Sequence, residues 1–179
     1  MLPTPEVKQI LQKNITIGTV RWDVPLSTLT TMRIGGPAWV VVQTDNVDEI
    51  RCVYDVVAQK DVPLFVLGGG SNVVFPDEGY PGIILKLPLG TISTQLRDKN
   101  RVAVTFGGGY LSQLAAQKTV DLGLTGFESM YGLPGTLGGA IVMNSKWPAD
   151  KFMTGDVLES IQYLRPDGSL KTMRHDELD

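Results

Sequence analysis

The sequence predicts an α+β protein built from two subdomains, and three observations predict it. Residues 38–67 carry a strand–helix–strand pattern, with helical periodicity set between two apolar, β-rich runs. Short strand-like segments then succeed one another over 82–106 and again over 157–174. Glycine, 20 of 179 residues against a usual share of roughly 7%, falls in clusters at element ends instead of being spread as in a linker.

Taken in order, residues 5–13 read as a short helix opened by Pro5. Residues 38–43, Ala-Trp-Val-Val-Val-Gln, have strand chemistry. Over 46–60, Val47, Ile50, Val53 or Tyr54, and Val57 recur at helical spacing. Asp45 or Asn46 suits the N-cap, and Asp48 and Glu49 suit the positive end of the helix dipole. Pro63-Leu-Phe-Val-Leu67 reads as a strand buried on both faces that runs directly into Gly68-Gly69-Gly70. Residues 82–87, 91–97 and 101–106 read as further strands. Leu111, Leu114, Ala115 and Leu122 mark the apolar face of a helix stopped by Gly123, and 139–144 reads as another short helix. Residues 157–165 and 168–174 flank Pro166-Asp167-Gly168, a hairpin signal. The expected organisation is an N-terminal helix and lead-in over 1–24, a βαβ subdomain over 25–90, and a second subdomain with a mixed sheet over 91–179.

Composition removes several function classes. One cysteine cannot form an internal disulfide, and one Cys with one His cannot supply a zinc site of the usual type. A net charge of −3 without a Lys/Arg block argues against a nucleic-acid partner, and no apolar run reaches the roughly 18 residues of a membrane span. The start, Met-Leu-Pro-Thr-Pro-Glu-Val-Lys, lacks the pattern of a signal peptide. A soluble, cytoplasmic protein is the expectation.

The glycine clusters are Gly35-Gly36, Gly68-Gly69-Gly70, Gly107-Gly108-Gly109 and the run Gly132-Leu-Pro-Gly135-Thr-Leu-Gly138-Gly139. They read either as tight turns or as loops whose bare N–H groups converge on an anion, with phosphate or pyrophosphate the natural guest. A dinucleotide fingerprint starting at Gly68 fails because Val73 stands at its third glycine, and Gly-Lys-Ser/Thr occurs nowhere. The stretch after Asn72 is extended, which excludes a helix-dipole phosphate site at this loop.

Thr31-Met-Arg33-Ile34-Gly35-Gly36, Leu67-Gly68-Gly69-Gly70-Ser71-Asn72, Gly123-Leu-Thr-Gly-Phe-Glu128, Leu133-Pro134-Gly135-Thr136-Leu-Gly138-Gly139-Ala and Met143-Asn144 occur in that order. Their order and spacing resemble the UDP-N-acetylenolpyruvoylglucosamine reductase family, flavoproteins with an FAD-binding domain of the vanillyl-alcohol-oxidase type. The resemblance covers about residues 26–178. It implies an oxidoreductase of peptidoglycan precursor synthesis that passes hydride from NADPH through FAD to UDP-N-acetylglucosamine enolpyruvate. By the family pattern, Gly68, Gly69, Gly70, Ser71 and Asn72 wrap the pyrophosphate, with Leu67 also cofactor-binding, Arg33, Ile34, Gly35, Gly36, Gly107 and Gly109 lie along the cofactor, and Leu133, Pro134, Gly135, Thr136, Gly138, Gly139 and Asn144 approach its flavin and ribityl end. The family's catalytic groups, an arginine in a Tyr-Arg pair, a serine proton donor and a glutamate, are expected beyond Asp179, two of them in a later substrate domain. No catalytic residue is therefore assigned, and FAD binding without turnover is the expectation. A stand-alone FAD or nucleotide-binding module, or a different flavoprotein oxidoreductase of the same fold, is the alternative.

Individual residues divide as follows. Ser71 suits cofactor hydrogen bonding, Arg33 is the leading cationic candidate, Cys52 reads as packing, and His175 as exposed. With no histidine beside a glycine loop, the flavin is expected to be non-covalent. Glu128 reads equally as a cofactor-facing group or a turn cap. After Asn144 the chain departs from the family's small-residue stretch, placing Ser145, Lys146, Trp147, Pro148 and Phe152 there, with Trp147 and Phe152 either packed locally or exposed as an apolar patch.

Overall fold

A computed structural model of the protein describes residues 4–147 and 152–178. The chain divides into two compact units, Met1–Pro88 with Pro166–Ser169, and Leu89–Arg165 with Leu170–Asp179.

The first unit is a four-stranded sheet with two helices. Helix α1 (Pro5–Asn14) begins at Thr4, whose hydroxyl accepts the Val7 N–H. Strands β1 (Thr19–Pro25) and β2 (Pro37–Gln43) are antiparallel. Helix α2 (Val47–Lys60) follows, capped by Asn46, whose side chain accepts from the N–H groups of Asp48 and Glu49. Strands β3 (Leu64–Val66) and β4 (Tyr80–Lys86) complete the sheet in the order β1-β2-β4-β3, with β4 parallel to both neighbours. Because side chains alternate across a strand, β2 and β4 feed two cores. Val40, Val42, Ile83 and Leu85 pack with Val7 and Leu11 of α1 and Val53 and Val56 of α2. Val41 and Ile84 pack on the opposite face with Leu26, Leu67 and Phe75. The rings of Phe65, Phe75 and Tyr80 meet edge to face there, at centroid separations of 5.2–6.1 Å.

The expected N-terminal helix is present as α1, and it and β1 are built into the first unit, with Val7 and Leu11 fully buried. Two expectations are corrected here. The sheet is already mixed, since β1 is an antiparallel strand that its interrupted sequence, with Asp23 at φ 56° and a terminal proline, conceals. The strand leading to the triple glycine is an edge strand, not one buried on both faces: β4 inserts between β2 and β3, and Val66 is 56% exposed.

The second unit carries no single mixed sheet among its described residues. It has three antiparallel pairs: β5 (Ile92–Asp98) with β6 (Arg101–Phe106), β7 (Lys146–Trp147) with β8 (Phe152–Met153), and β9 (Ser160–Leu164) with β10 (Leu170–Arg174). Helices α3 (Ser112–Asp121) and α4 (Leu137–Val142) supply its core, with Ala115, Ala116, Leu137 and Ala140 packed around Met130 and Tyr110. Of the face expected of α3, only Ala115 is buried. Leu111, Leu114 and Leu122 are 40–44% exposed, while Ser112, Ala115, Ala116 and Thr119, also at helical spacing, are buried. Small residues let the helix approach its neighbours closely, which hydrophobicity alone does not signal. Phe152 is partly buried against this core instead of forming an open patch. Pro148, and residues 149–151 with it, lie outside the described residues.

Candidate functional site

In the first unit the glycine loop sits at the carboxyl ends of the parallel strands, the place where open parallel sheets present ligand sites. Leu67 enters it buried, its N–H bonded to the Leu85 carbonyl at 2.8 Å. Two carbonyls of the loop are then tied to the protein. Gly68 O accepts from Lys86 Nζ at 2.5 Å, and Gly70 O accepts from the Thr31 N–H at 2.9 Å. In a trans peptide the carbonyl and the following N–H point in opposite directions. Fixing Gly68 O inward therefore turns the Gly69 N–H outward. Among the described residues, the N–H groups of Gly68, Gly69, Gly70 and Asn72 donate to no protein acceptor. Gly70 has φ +71°, and a Cβ on it would stand 2.1 Å from the Leu29 carbonyl oxygen. Backbone donors at Gly68, Gly69, Gly70 and Asn72, exposed at Gly69 and Asn72, fit an anionic group such as a pyrophosphate.

The Gly35-Gly36 pair does different work. Their carbonyls accept from Ser27 and Leu26, and the Gly36 N–H donates to the Pro76 carbonyl. A Cβ on Gly36 would lie 1.9 Å from the Asp77 carbonyl oxygen, so this glycine permits backbone to cross backbone. Arg33, at φ 55°, and Ile34 precede it in an exposed loop, where the Thr30 hydroxyl holds the Ile34 carbonyl at 3.1 Å. The Arg33 guanidinium makes no ion pair among the described residues.

In the second unit, two glycine segments are bound to each other. The N–H groups of Leu137 and Gly138 donate to the carbonyls of Tyr110 and Gly108, both at 2.8 Å, and the Ser112 N–H donates to Gly135 O at 3.0 Å. The Gly139 N–H reaches the Thr136 hydroxyl, which caps α4. Gly107 packs its backbone on Gly90, where an added Cβ would meet Gly90 Cα at 3.1 Å. Much of the 107–111 and 133–139 backbone thus serves internal contact, leaving Leu133 partly buried against the local core and Gly135 at φ 113°. Asn144, at φ 37°, uses its Oδ1 to accept the Gly155 N–H at 3.1 Å.

Glu128 is a turn cap: its carboxylate accepts from the Thr125 hydroxyl at 2.6 Å and the Gly126 N–H at 2.7 Å, and the Thr125 bond leads in holding its pKa below the usual range. Cys52 is half-buried in α2, and burial, then Asp55 and Glu49, push its thiol up. His175 is exposed. Three groups escape sequence reading. Lys86 ends a buried strand and looks like a solvated strand end. The Ser112 hydroxyl is fully buried with no hydrogen-bond partner among the described residues. Glu49 reaches out of α2 to grip the 16–18 turn, accepting from the N–H groups of Thr16, Ile17 and Gly18 and from the Thr44 hydroxyl. Among the described residues no cluster of His, Cys, Asp or Glu is arranged to hold a metal, and no helix is long and apolar enough to cross a membrane.

The chain is 35% identical over 167 residues to the UDP-N-acetylenolpyruvoylglucosamine reductase of Bacillus subtilis strain 168, covering 93% of this chain and 54% of that protein. It thus spans about half the length of the curated relatives it matches. Among solved structures, the UDP-N-acetylenolpyruvylglucosamine reductase of Thermus caldophilus superposes with a TM-score of 0.69 at 28% identity, covering 90% of this chain and 54% of that one. The 6-hydroxy-D-nicotine oxidase of Arthrobacter nicotinovorans, TM-score 0.65 at 18% identity over 90% of this chain and 36% of its own, shares the fold. The FAD binding domain family matches residues 38–174, and this chain, α+β in architecture, belongs to that family.

Proposed function

We propose that this chain is the flavin-holding part of an NADPH-dependent reductase that acts on UDP-N-acetylglucosamine enolpyruvate in cytoplasmic peptidoglycan precursor synthesis. The likeness to the Bacillus subtilis reductase over 93% of the chain carries the reading, and the amides of Gly68, Gly69, Gly70 and Asn72, which donate to no protein acceptor among the described residues, support it. FAD, when bound, supplies the hydride chemistry, and the protein's task is to hold and orient it. Gly68, Gly69, Gly70, Ser71 and Asn72 would take the pyrophosphate. Arg33, Ile34, Gly35 and Gly36, with Gly107, Gly109, Leu133 to Thr136, Gly138, Gly139 and Asn144, would shape the rest of the cofactor's surroundings. The absence of a histidine in any of these segments supports a dissociable flavin.

The test is direct. The purified chain is expected to carry FAD that acid precipitation releases completely, and Gly69→Leu is expected to lose most of it, because a side chain there stands where the phosphate must approach. Normal flavin absorbance in a folded Gly69→Leu variant would sink the pyrophosphate assignment. Assayed alone with NADPH and the enolpyruvyl substrate, residues 1–179 are expected to give no steady turnover. Sustained substrate-dependent NADPH oxidation would show that this half suffices for the reaction.

A further inference from the structure

Lys86 occupies an unusual place for a lysine. It closes β4 with its ammonium half-buried on the Gly68 carbonyl. Strand register puts it on a defined face: Lys86 opposes Gln43, Ile84 opposes Val41, and Val41 opposes Arg21 on β1. Since side chains alternate, Arg21, Gln43 and Lys86 share one face of the sheet, at the end where the glycine loop begins. Neither cation makes an ion pair among the described residues. Burial, and then the neighbouring Arg21, push the Lys86 ammonium below its usual range. No carboxylate compensates there, and a half-buried ammonium facing a second cation is costly unless an anion completes the site.

We infer that Lys86 is a positioning residue for the 68–72 loop, turning its amides toward a bound phosphate and, with Arg21, making the ground beneath the loop electropositive. The inference rests on the pyrophosphate reading above. Lys86 does two separable things: its N–H donors hold Gly68 O inward, and its charge attracts the phosphate. Arginine retains both, glutamine keeps a donor without charge, and methionine keeps only the stem.

The experiment measures the dissociation constant of FAD for the flavin-stripped full chain, by flavin fluorescence, across a range of salt concentrations. Wild type, Lys86→Arg, Lys86→Gln and Lys86→Met are compared, with circular dichroism and thermal melts to establish folding. Lys86→Arg is expected to stay within about threefold of wild type, and Lys86→Met to weaken FAD at least about tenfold, with Lys86→Gln between them. Removing the charge should also flatten the salt dependence in the Gln and Met variants. A folded Lys86→Met that binds FAD within about threefold of wild type overturns the inference and leaves the cofactor reading standing. If Lys86→Met does not fold, Lys86→Gln decides, and an unchanged affinity and salt slope there overturns it. Wild-type protein that takes up no FAD overturns the cofactor reading, and this inference falls with it.

Discussion

Glu49→Gln is expected to destabilise the first unit by about 3 kcal/mol and to lower Tm by roughly 10 °C. The carboxylate is 4% exposed and accepts four hydrogen bonds: from Thr16 and Ile17 on Oε1 at 2.6 Å, and from Gly18 and Thr44 on Oε2 at 2.9 and 2.5 Å. Glutamine replaces one acceptor with an NH₂ group, which then faces donors it cannot satisfy. Gly18 leaves no slack, since a Cβ there would already lie 2.5 Å from the Gln43 carbonyl oxygen. The same site predicts acid sensitivity. Burial by itself would raise the Glu49 pKa, but the Thr44 and backbone hydrogen bonds together hold it below 4.5. A group with a depressed native pKa contributes stability that is complete above its unfolded value and lost as pH falls through the native one. Wild type should therefore lose stability below about pH 4.5 with a component that Glu49→Gln lacks. Denaturant melts from pH 7 to pH 3 check this, and parallel curves for the two proteins would contradict it.

Gly70→Ala is expected to abolish FAD retention and to lower Tm by several degrees. At φ +71° an L-residue carries a penalty of about 1–2 kcal/mol. Alanine must also displace the 29–30 backbone, because its Cβ would stand 2.1 Å from Leu29 O and 2.9 Å from Thr30 Cα. Neither atom can rotate aside, so the loop itself must move, and with it the Thr31 tether on Gly70 O. Gly123→Ala is the matched control: it has the same φ of +71° but nothing within 4 Å of the added atom. It should show the conformational penalty alone and keep its flavin. Equal flavin content in the two variants, measured as the ratio of flavin to protein absorbance, would refute the role assigned to the loop.

Helix α2 was legible in the sequence because its cap and its periodicity agree locally, and Asn46 caps it as a cap-forming residue should. Helix α3 was legible in extent but not in orientation, since its buried face is built of Ser112, Ala115, Ala116 and Thr119 while its leucines are 40–44% exposed. The place of β4 between β2 and β3 was hidden because no local signal states which strand a parallel partner will join. Glu49 shows the same limit at a single side chain. Its position in the first turn of α2 suggests a dipole partner, yet its carboxylate serves a turn some thirty residues earlier in the chain. The glycine clusters were visible as sites of special backbone, but composition could not separate their duties. Gly36 and Gly138 permit backbones to touch, whereas the amides of Gly68 and Gly69 are left without a protein acceptor among the described residues.

The insertion of β4 has a consequence for assembly. Among the described residues strand β3 makes its ladder contacts only with β4, and the Gly68 tether comes from the last residue of that strand. A chain that ends after β3 and its glycines holds an unpaired strand and a loop tied at Gly70, through Thr31, but not at Gly68, until β4 inserts between two earlier strands. The Gly68 end of the loop is thus held by a segment that follows it in the chain, not by the strand that leads into it. Loss of the Lys86 contact at the end of β4 should therefore loosen the loop before the sheet yields, whereas damage to its buried Ile83 and Ile84 strikes both cores at once.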